Sequence, residues 1–560
     1  MQGNCNIAAA LAEVAERQPD DIAIRCPTGV DRQGRVEYGV QMTYAELERD
    51  SNDVARGLLA LGLTRGRRCA LMVKPSPELF VCMFALFKAG VIPVLIDPGI
   101  DKRALKQCLA EAAPLGFIGI ALAHWARRLL GWARGSIVHT VVVGRRWGIG
   151  GFSLRAVRHL GQGRNDPLCH TEADETAAIL FTSGSTGVPK GVIYRHRHFL
   201  AQVELLGRAF GIQPGGVDLP TFPPFALFDP ALGLTSVIPD MDPTRPARAN
   251  PEKLVDAIER FGVTQMFGSP ALIDRLSRHG ARTGTRLSHL RKVLSAGAPV
   301  PPDVVERMQR MLPDDAEIWT PYGATECLPV AVIEGRELAE TREATEQGAG
   351  TCVGRPVEPN VVRIIRTVDG PIGRWSDVEE LPPGEVGEIT VAGPTATECY
   401  WARASVTTAA KIHEALGESL EDDGVRVVHR MGDLGWFDEQ GRLWFCGRKS
   451  QRVETVEGAR YTEQVEPIFN ADPRIRRSAL VGVGAPGRAK PVLCIELAEP
   501  VRGAARRALF ADLRRKADRF EHTRNLRAFL LHPGFPVDIR HNAKIGREKL
   551  AQWASKRLRA

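Results

Sequence analysis

The sequence has 560 residues, 44% of them hydrophobic and 25% charged, with a formal net charge of +8. Those proportions exclude a disordered chain, a collagen-like repeat and a small disulfide scaffold, and the length calls for roughly 3–4 domain-sized units. Eleven cysteines occur singly without a CxxC pair. That spacing argues against a zinc ribbon or a redox motif, and for reduced core thiols such as Cys5, Cys82, Cys327 and Cys446.

In chain order, the N-terminal MQGNCNIAAALAEVAERQPDD turns acidic where a signal peptide needs a long apolar run. The expectation is therefore a cytoplasmic protein. Thr43–Leu61 predicts an amphipathic helix opened by a capping box of Thr43 and Glu46. Short apolar runs at Cys69–Val73, Val91–Ile96 and Ala177–Phe181 read as buried strands, alternating with helical patterns such as Pro251–Arg260. That alternation implies doubly wound, parallel α/β layers.

Two stretches bear on membranes. Leu79–Ile96 is apolar but interrupted by Lys88, Gly90 and Pro93, which predicts an amphipathic helix followed by a buried strand rather than a span. Ile118–Arg134 carries Trp125, Trp132 and three arginines, a composition shared by interfacial helices and by ordinary surface helices.

From about residue 360 the texture changes to short strands and frequent turns, with a hairpin signal at Asp438–Gly441 between Trp436 and Trp444. A polar stretch at Gly447–Glu457 then precedes a smaller α+β tail. The expected domains are thus 1–449, whose part from about 360 is β-rich, and 450–560. In Arg502–Arg527 nine basic residues face three acids. This reads as a solvated helix face, and no nucleic-acid motif accompanies it.

The strongest local signal is TSGSTGVPKG, Thr182–Gly191, directly after the apolar run AAILF. Its glycines allow a tight backbone whose N–H groups can approach phosphate oxygens. Thr182, Ser183, Ser185 and Thr186 add hydroxyls, Gly184 and Gly187 add freedom, and Lys190 adds charge. The spacing is not that of a Walker A loop.

Here the sequence resembles the adenylate-forming superfamily of acyl-CoA synthetases, luciferases and nonribosomal adenylation domains, and further motifs follow in the family's order. The resemblance implies a large N-terminal α/β domain with a β-rich part and a small mobile C-terminal lid, using ATP and Mg²⁺. It places Gly297, Ala298 and Pro299 of SAGAP beside the adenine. In YGATE it stacks Tyr322 on the base, adds Gly323 and Thr325 to the nucleotide site, and gives Glu326 the metal together with Thr186. Asp433 of MGDLGW would bind the ribose hydroxyls, with Arg448 following it. Lys544 of HNAKIGR would reach the reacting carboxylate and the α-phosphate.

Two departures point away from thioester formation. Thioester-forming relatives carry a glycine at the position of Glu457, with Gly458 one residue later here. Near the acyl channel they often carry a histidine where this chain has Ala226. A one-residue register slip at Glu457 remains open. With PPFALFDP and HNAKIGR, these features are most similar to the β-lactone-forming synthetases of bacterial long-chain olefin biosynthesis.

That resemblance implies adenylation of a 2-alkyl-3-hydroxyalkanoic acid followed by ring closure through its own hydroxyl; a fatty acyl-CoA or acyl-carrier-protein ligase is the alternative. It also implies pathway partners: a β-lactone decarboxylase, a reductase and a condensing enzyme, with membrane-surface contact conceivable through Trp125 and Trp132. Asp229 and His196 are candidate groups to orient or deprotonate the hydroxyl, and the departing AMP phosphate is a third.

Overall fold

The computed structural model describes residues 4–97, 99–182, 189–416, 424–536 and 545–559. Two large sheets organise the N-terminal part. The seven-stranded sheet runs Lys190–Arg195, Thr176–Thr182, Ile92–Ile96, Arg68–Met72, Gly116–Ile120, His139–Val143, Phe152–Ser153. Only its first pair is antiparallel. The expected buried strands all lie here, joined by helical crossovers, as parallel pairing requires.

In the second sheet an antiparallel edge strand, Val40–Thr43, flanks a run of parallel strands from Ile22–Cys26 through Lys292–Leu294 to Glu317–Ala324, after which the sheet turns back on itself. Its antiparallel half starts at Cys327–Glu334, earlier than the change in composition near 360. The reason is the tight turn at Thr325–Glu326, which reverses the chain before the sequence texture changes. At the far end Val425–Phe437 pairs with Leu443–Arg448, and Trp436 stacks on Trp444 with centroids 5.7 Å apart. Asp438 closes that hairpin by accepting from the backbone N–H of Gln440 and Arg442.

Between the two sheets lies a core built on the helices Tyr44–Ala60 and Pro77–Lys88. The first starts at Thr43 with the expected capping box. The second is not amphipathic: Leu79 to Lys88 are all buried, because the helix is enclosed by sheet and helices. Lys88 is accommodated by bonds to Glu48 Oε2 (2.6 Å), Ser51 Oγ (2.8 Å) and Asn52 Oδ1 (2.8 Å). Burial pulls its ammonium down to about 8 even so. Helix Tyr44–Ala60 meets Leu154–Gly161 through glycines: a Cβ on Gly57 would lie 2.0 Å from the Val157 carbonyl oxygen, and one on Gly161 1.8 Å from that of Asp53.

The run Ile118–Arg134 divides. Ile118–Ile120 ends a strand, Ala121–Leu130 is a helix, and Trp132 is buried while Trp125 is exposed. Among the described residues no helix is long and apolar enough to cross a membrane. After Arg448 the chain builds a separate three-stranded sheet with its own apolar cores. The basic helix Gly503–Ala517 buries Leu509, Leu513 and Ala517 and leaves its arginines to solvent, as expected.

Candidate active site

One cavity of about 2590 Å³ lies along the C-terminal ends of the parallel strands and against the small domain. Ligands gather at that edge in doubly wound sheets. Its polar wall is assembled from four strand ends and the loops that follow them.

Glu326 sits in the two-residue turn left when Ala324 pairs with Cys327. The turn is pinned from outside. The Thr325 carbonyl accepts from Tyr194 Oη, and the Glu326 carbonyl accepts from Thr397 N (2.8 Å) and Oγ1 (3.0 Å). Tyr400 Oη donates to Glu326 Oε1 at 2.6 Å, which fixes the carboxylate with its second oxygen free of that bond. Lys190 Nζ lies 5.3 Å from the Tyr400 ring centroid, and the buried Lys411 Nζ 5.7 Å from it. Burial lowers the Lys411 ammonium to about 8.

Asp433 and Arg448 face each other across neighbouring strands, where they are register partners. Arg448 Nη1 is 2.9 Å from Asp433 Oδ1, and Tyr322 Oη donates to Oδ2 at 2.7 Å. Burial pushes the Asp433 carboxyl up, opposed chiefly by the Arg448 charge. The carboxylate is thus held by the Arg448 charge on one oxygen and the Tyr322 hydroxyl on the other. Ser295 Oγ, in the loop after Lys292–Leu294, is buried and unpartnered. Such a wall could take a nucleoside, with ribose hydroxyls donating to the Asp433 carboxylate and a base edge engaging Ser295. Gly297, with φ +98°, turns the same loop so that Ala298 and Pro299 also line the cavity.

Thr182 and Lys190 pair at the mouth of the phosphate loop and line the cavity. Ser183, Gly184, Ser185, Thr186 and Gly187 lie outside the described residues, as does Lys544. The segment Ile545–Arg547 lines the cavity, and Arg547 is anchored to Glu466 Oε2 (2.9 Å) and Gln451 Oε1 (3.1 Å).

Charged side chains such as Lys74, Asp97, Lys102, Asp240 and Asp242 also line the cavity, and between them lie two apolar groups. Leu79, Met83, Phe84, Phe87, Phe199 and Phe228 belong to one core; Ile100, Leu105, Ala123 and Trp132 belong to another, with Leu122 beside Ala123 on the same helix.

The two expected hydroxyl-activating residues are not in this wall. Asp229 is buried behind it, accepting from Ser236 Oγ beside a second buried carboxyl, Asp218. Burial and then the Asp218 charge raise Asp229 well above the usual carboxylate range, and burial raises Asp218 to about 7. Phe225, Leu227 and Phe228 take the cavity side of this segment. His196 is brought down to about 4 by burial, and its Nδ1 accepts from the Ile7 backbone N–H at 3.1 Å, a structural bond. Ala226 is buried in the core. Glu457 stands at the tip of the hairpin Val453–Arg460, bonded to Asn525 Nδ2 (2.7 Å) and Arg460 Nη2 (3.2 Å), and is not part of the cavity wall in this arrangement.

Sequence reasoning missed Tyr400 and Tyr194, whereas Ser295 lies in the SAGAP run that it singled out. A signal existed for both tyrosines: the chain has only six, and three of them, Tyr194, Tyr322 and Tyr400, line this one cavity.

The model of a family described as AMP-binding enzyme matches residues 11–401. The chain is 61% identical over 551 residues to an olefin beta-lactone synthetase of Xanthomonas campestris pv. campestris, covering 98% of each chain. It is also 61% identical over 561 residues to an olefin beta-lactone synthetase of Stenotrophomonas maltophilia, covering 100% of this chain and 99% of that one. Among solved structures, the amide bond synthetase McbA of Marinactinospora thermotolerans superposes with TM-score 0.76 at 22% identity, covering 98% of this chain and 99% of that one. An ATP-bound MatB of Rhodopseudomonas palustris superposes with TM-score 0.74 at 20% identity, covering 99% of both.

Proposed function

This chain belongs to the AMP-binding enzyme family, alongside the olefin β-lactone synthetases to which it is 61% identical, and from that premise we propose how its site works. The substrate is a long-chain 2-alkyl-3-hydroxyalkanoic acid. Its carboxylate attacks the α-phosphorus of ATP and pyrophosphate leaves. The β-hydroxyl oxygen then attacks the acyl carbon, AMP leaves, and a β-lactone remains. The observation that carries this reading is the continuity of one cavity from the Tyr322–Asp433–Arg448 cluster and Glu326 to two apolar groups of side chains. Two apolar groups suit an acid with two alkyl arms.

The Asp433 carboxylate and Ser295 Oγ take the nucleoside, which fixes the α-phosphate relative to the acid. Glu326, with the Thr186 hydroxyl, would hold Mg²⁺, which when bound neutralises charge on the phosphates. Lys190 and Lys544 add positive charge where two anions must meet. Such chemistry is positioning plus electrostatics. Ring closure needs little more. A tethered hydroxyl attains effective molarities of ~10⁵–10⁸ M when well oriented. With Asp229 and His196 committed elsewhere, the hydroxyl proton passes to an oxygen of the departing AMP phosphate. The strained product calls for a consuming reaction of the β-lactone decarboxylase class, and the substrate for a reductase and a condensing enzyme upstream.

The test is incubation with ATP, Mg²⁺ and a long-chain 2-alkyl-3-hydroxy acid without thiol, with the product identified by NMR. Lactone and AMP support the proposal. An adenylate that persists until coenzyme A is added, and then becomes a thioester, refutes it.

A further inference from the structure

We propose that the helix Ala121–Leu130 and the loop 144–152 form a docking face for an anionic lipid bilayer, placed at the mouth of the second apolar group of the cavity. Four observations carry this. First, residues 112–165 contain eight arginines, no lysine and not one acidic residue. Among the described residues, Arg128, Arg134, Arg145 and Arg146 have no carboxylate partner, whereas Arg158 and Arg164 are paired with Asp50 and Asp166. The face therefore presents unneutralised charge of one sign.

Second, apolar side chains stand out among those arginines. Leu122, Trp125 and Leu129 fall at positions i, i+3 and i+7 of the helix, hence on one face, and are 62%, 39% and 78% exposed. Trp147, at the loop tip, is 64% exposed and held at φ +43° between Arg146 and Gly148. A bulky residue at positive φ is uncommon and costly. A loop that displays a tryptophan this way contrasts with one that tucks it in.

Third, helix and loop are neighbours. Ile120 and Val143 are partners in adjacent parallel strands, so the helix and the loop leave the sheet side by side. Arg128 Nη2 comes within 3.6 Å of the Cβ position of Gly150.

Fourth, the face adjoins the cavity. Leu122 is both solvent-exposed and part of the cavity wall, next to Ala123, Ile100 and Trp132, with Lys102 on the same rim. An apolar stripe flanked by arginines on a short helix is the chemistry of an interfacial element, its apolar side chains at acyl depth and its cations among anionic headgroups. A long-chain acid could then pass from the bilayer to the cavity without crossing water. The use of docking rests on the long-chain substrate proposed above. The docking itself is read by partition, so the two ideas can fail separately.

The experiment is co-sedimentation of the full chain with two kinds of vesicle, phosphatidylcholine alone and an equal mixture of phosphatidylcholine and phosphatidylglycerol. The expected result is binding to the mixed vesicles that weakens as salt rises. Arg128→Gln with Arg145→Gln should weaken it about 30-fold, and Leu129→Ser with Trp147→Ser at least roughly tenfold. These side chains lie outside the cavity wall, so ATP–pyrophosphate exchange with a short, soluble acid should be unchanged in both variants, which shows that they fold. Equal binding to both vesicle types, a wild-type chain that stays in the supernatant with each, or variants that bind like wild type would each overturn the proposal.

Discussion

Tyr400→Phe removes one oxygen atom and tests whether Glu326 is held in place for its task. The hydroxyl donates to Glu326 Oε1 at 2.6 Å from a largely buried position. Hydrogen bonds to a charged acceptor contribute about 1.5–3 kcal/mol. Phenylalanine keeps the ring, and with it the approach of Lys190 and Lys411 to that ring, so the loss is confined to the bond. If it is expressed in the adenylation transition state, the rate falls about 10- to 150-fold. Because the carboxylate loses an anchor, saturation should also require more Mg²⁺. The assay is ATP–pyrophosphate exchange across a Mg²⁺ series, with thermal unfolding alongside to show that the variant is folded. Added to Glu326→Gln, the same substitution should cost less than it costs in the wild type, since partners in one bond are not independent. A folded Tyr400→Phe enzyme with unchanged rate and unchanged Mg²⁺ requirement would refute the positioning role.

Four further outcomes are expected. Lys544→Ala should slow pyrophosphate release on the order of 10²–10³-fold, the loss that accompanies removal of one transition-state donor, measured as single-turnover AMP formation. Asp218 keeps its proton up to about pH 7 in the folded chain, whereas an unfolded chain releases it near 4. The folded state therefore binds more protons across that window, and stability declines as pH rises through it. Asp218→Asn should flatten that decline in thermal unfolding between pH 5 and pH 8, and Asp229→Asn should leave lactone formation intact. Gly57→Ala places a methyl 2.0 Å from the Val157 carbonyl oxygen. Parting the two helices costs about 3 kcal/mol, of which alanine's better helix propensity returns about 1; urea unfolding should show the difference.

How much of this was legible depends on how local each determinant is. The strand runs, the capping box at Thr43 and the Asp438–Gly441 hairpin are written in neighbouring residues, and local pattern reads them directly. Asp433 and Arg448 were nameable as motif members. Their mutual register, which brings the two charges together, is a property of strand pairing. Tyr400 lies 74 residues from Glu326, and no spacing rule joins them. Helix Pro77–Lys88 was misjudged for a related reason: one lysine in an apolar run suggested a wet face, and only the tertiary cage of Glu48, Ser51 and Asn52 makes it a core residue.

Asp229 shows the same limit at the site itself. In PPFALFDPALG the chain makes two short helical turns, Pro223–Ala226 and Asp229–Leu232. The segment therefore divides between the cavity and the core: Phe225, Leu227, Phe228 and Ala231 face the cavity, while Ala226, Asp229 and Pro230 are buried away from it. A carboxylate one position earlier, at 228, would have stood in the cavity wall. At position 229 it meets Ser236 and Asp218 instead, so apolar neighbours do raise its pKa, but on the wrong side of the wall to serve as a base. The ring closure proposed above therefore gives the hydroxyl proton to the leaving phosphate, which arrives with the substrate at every turnover.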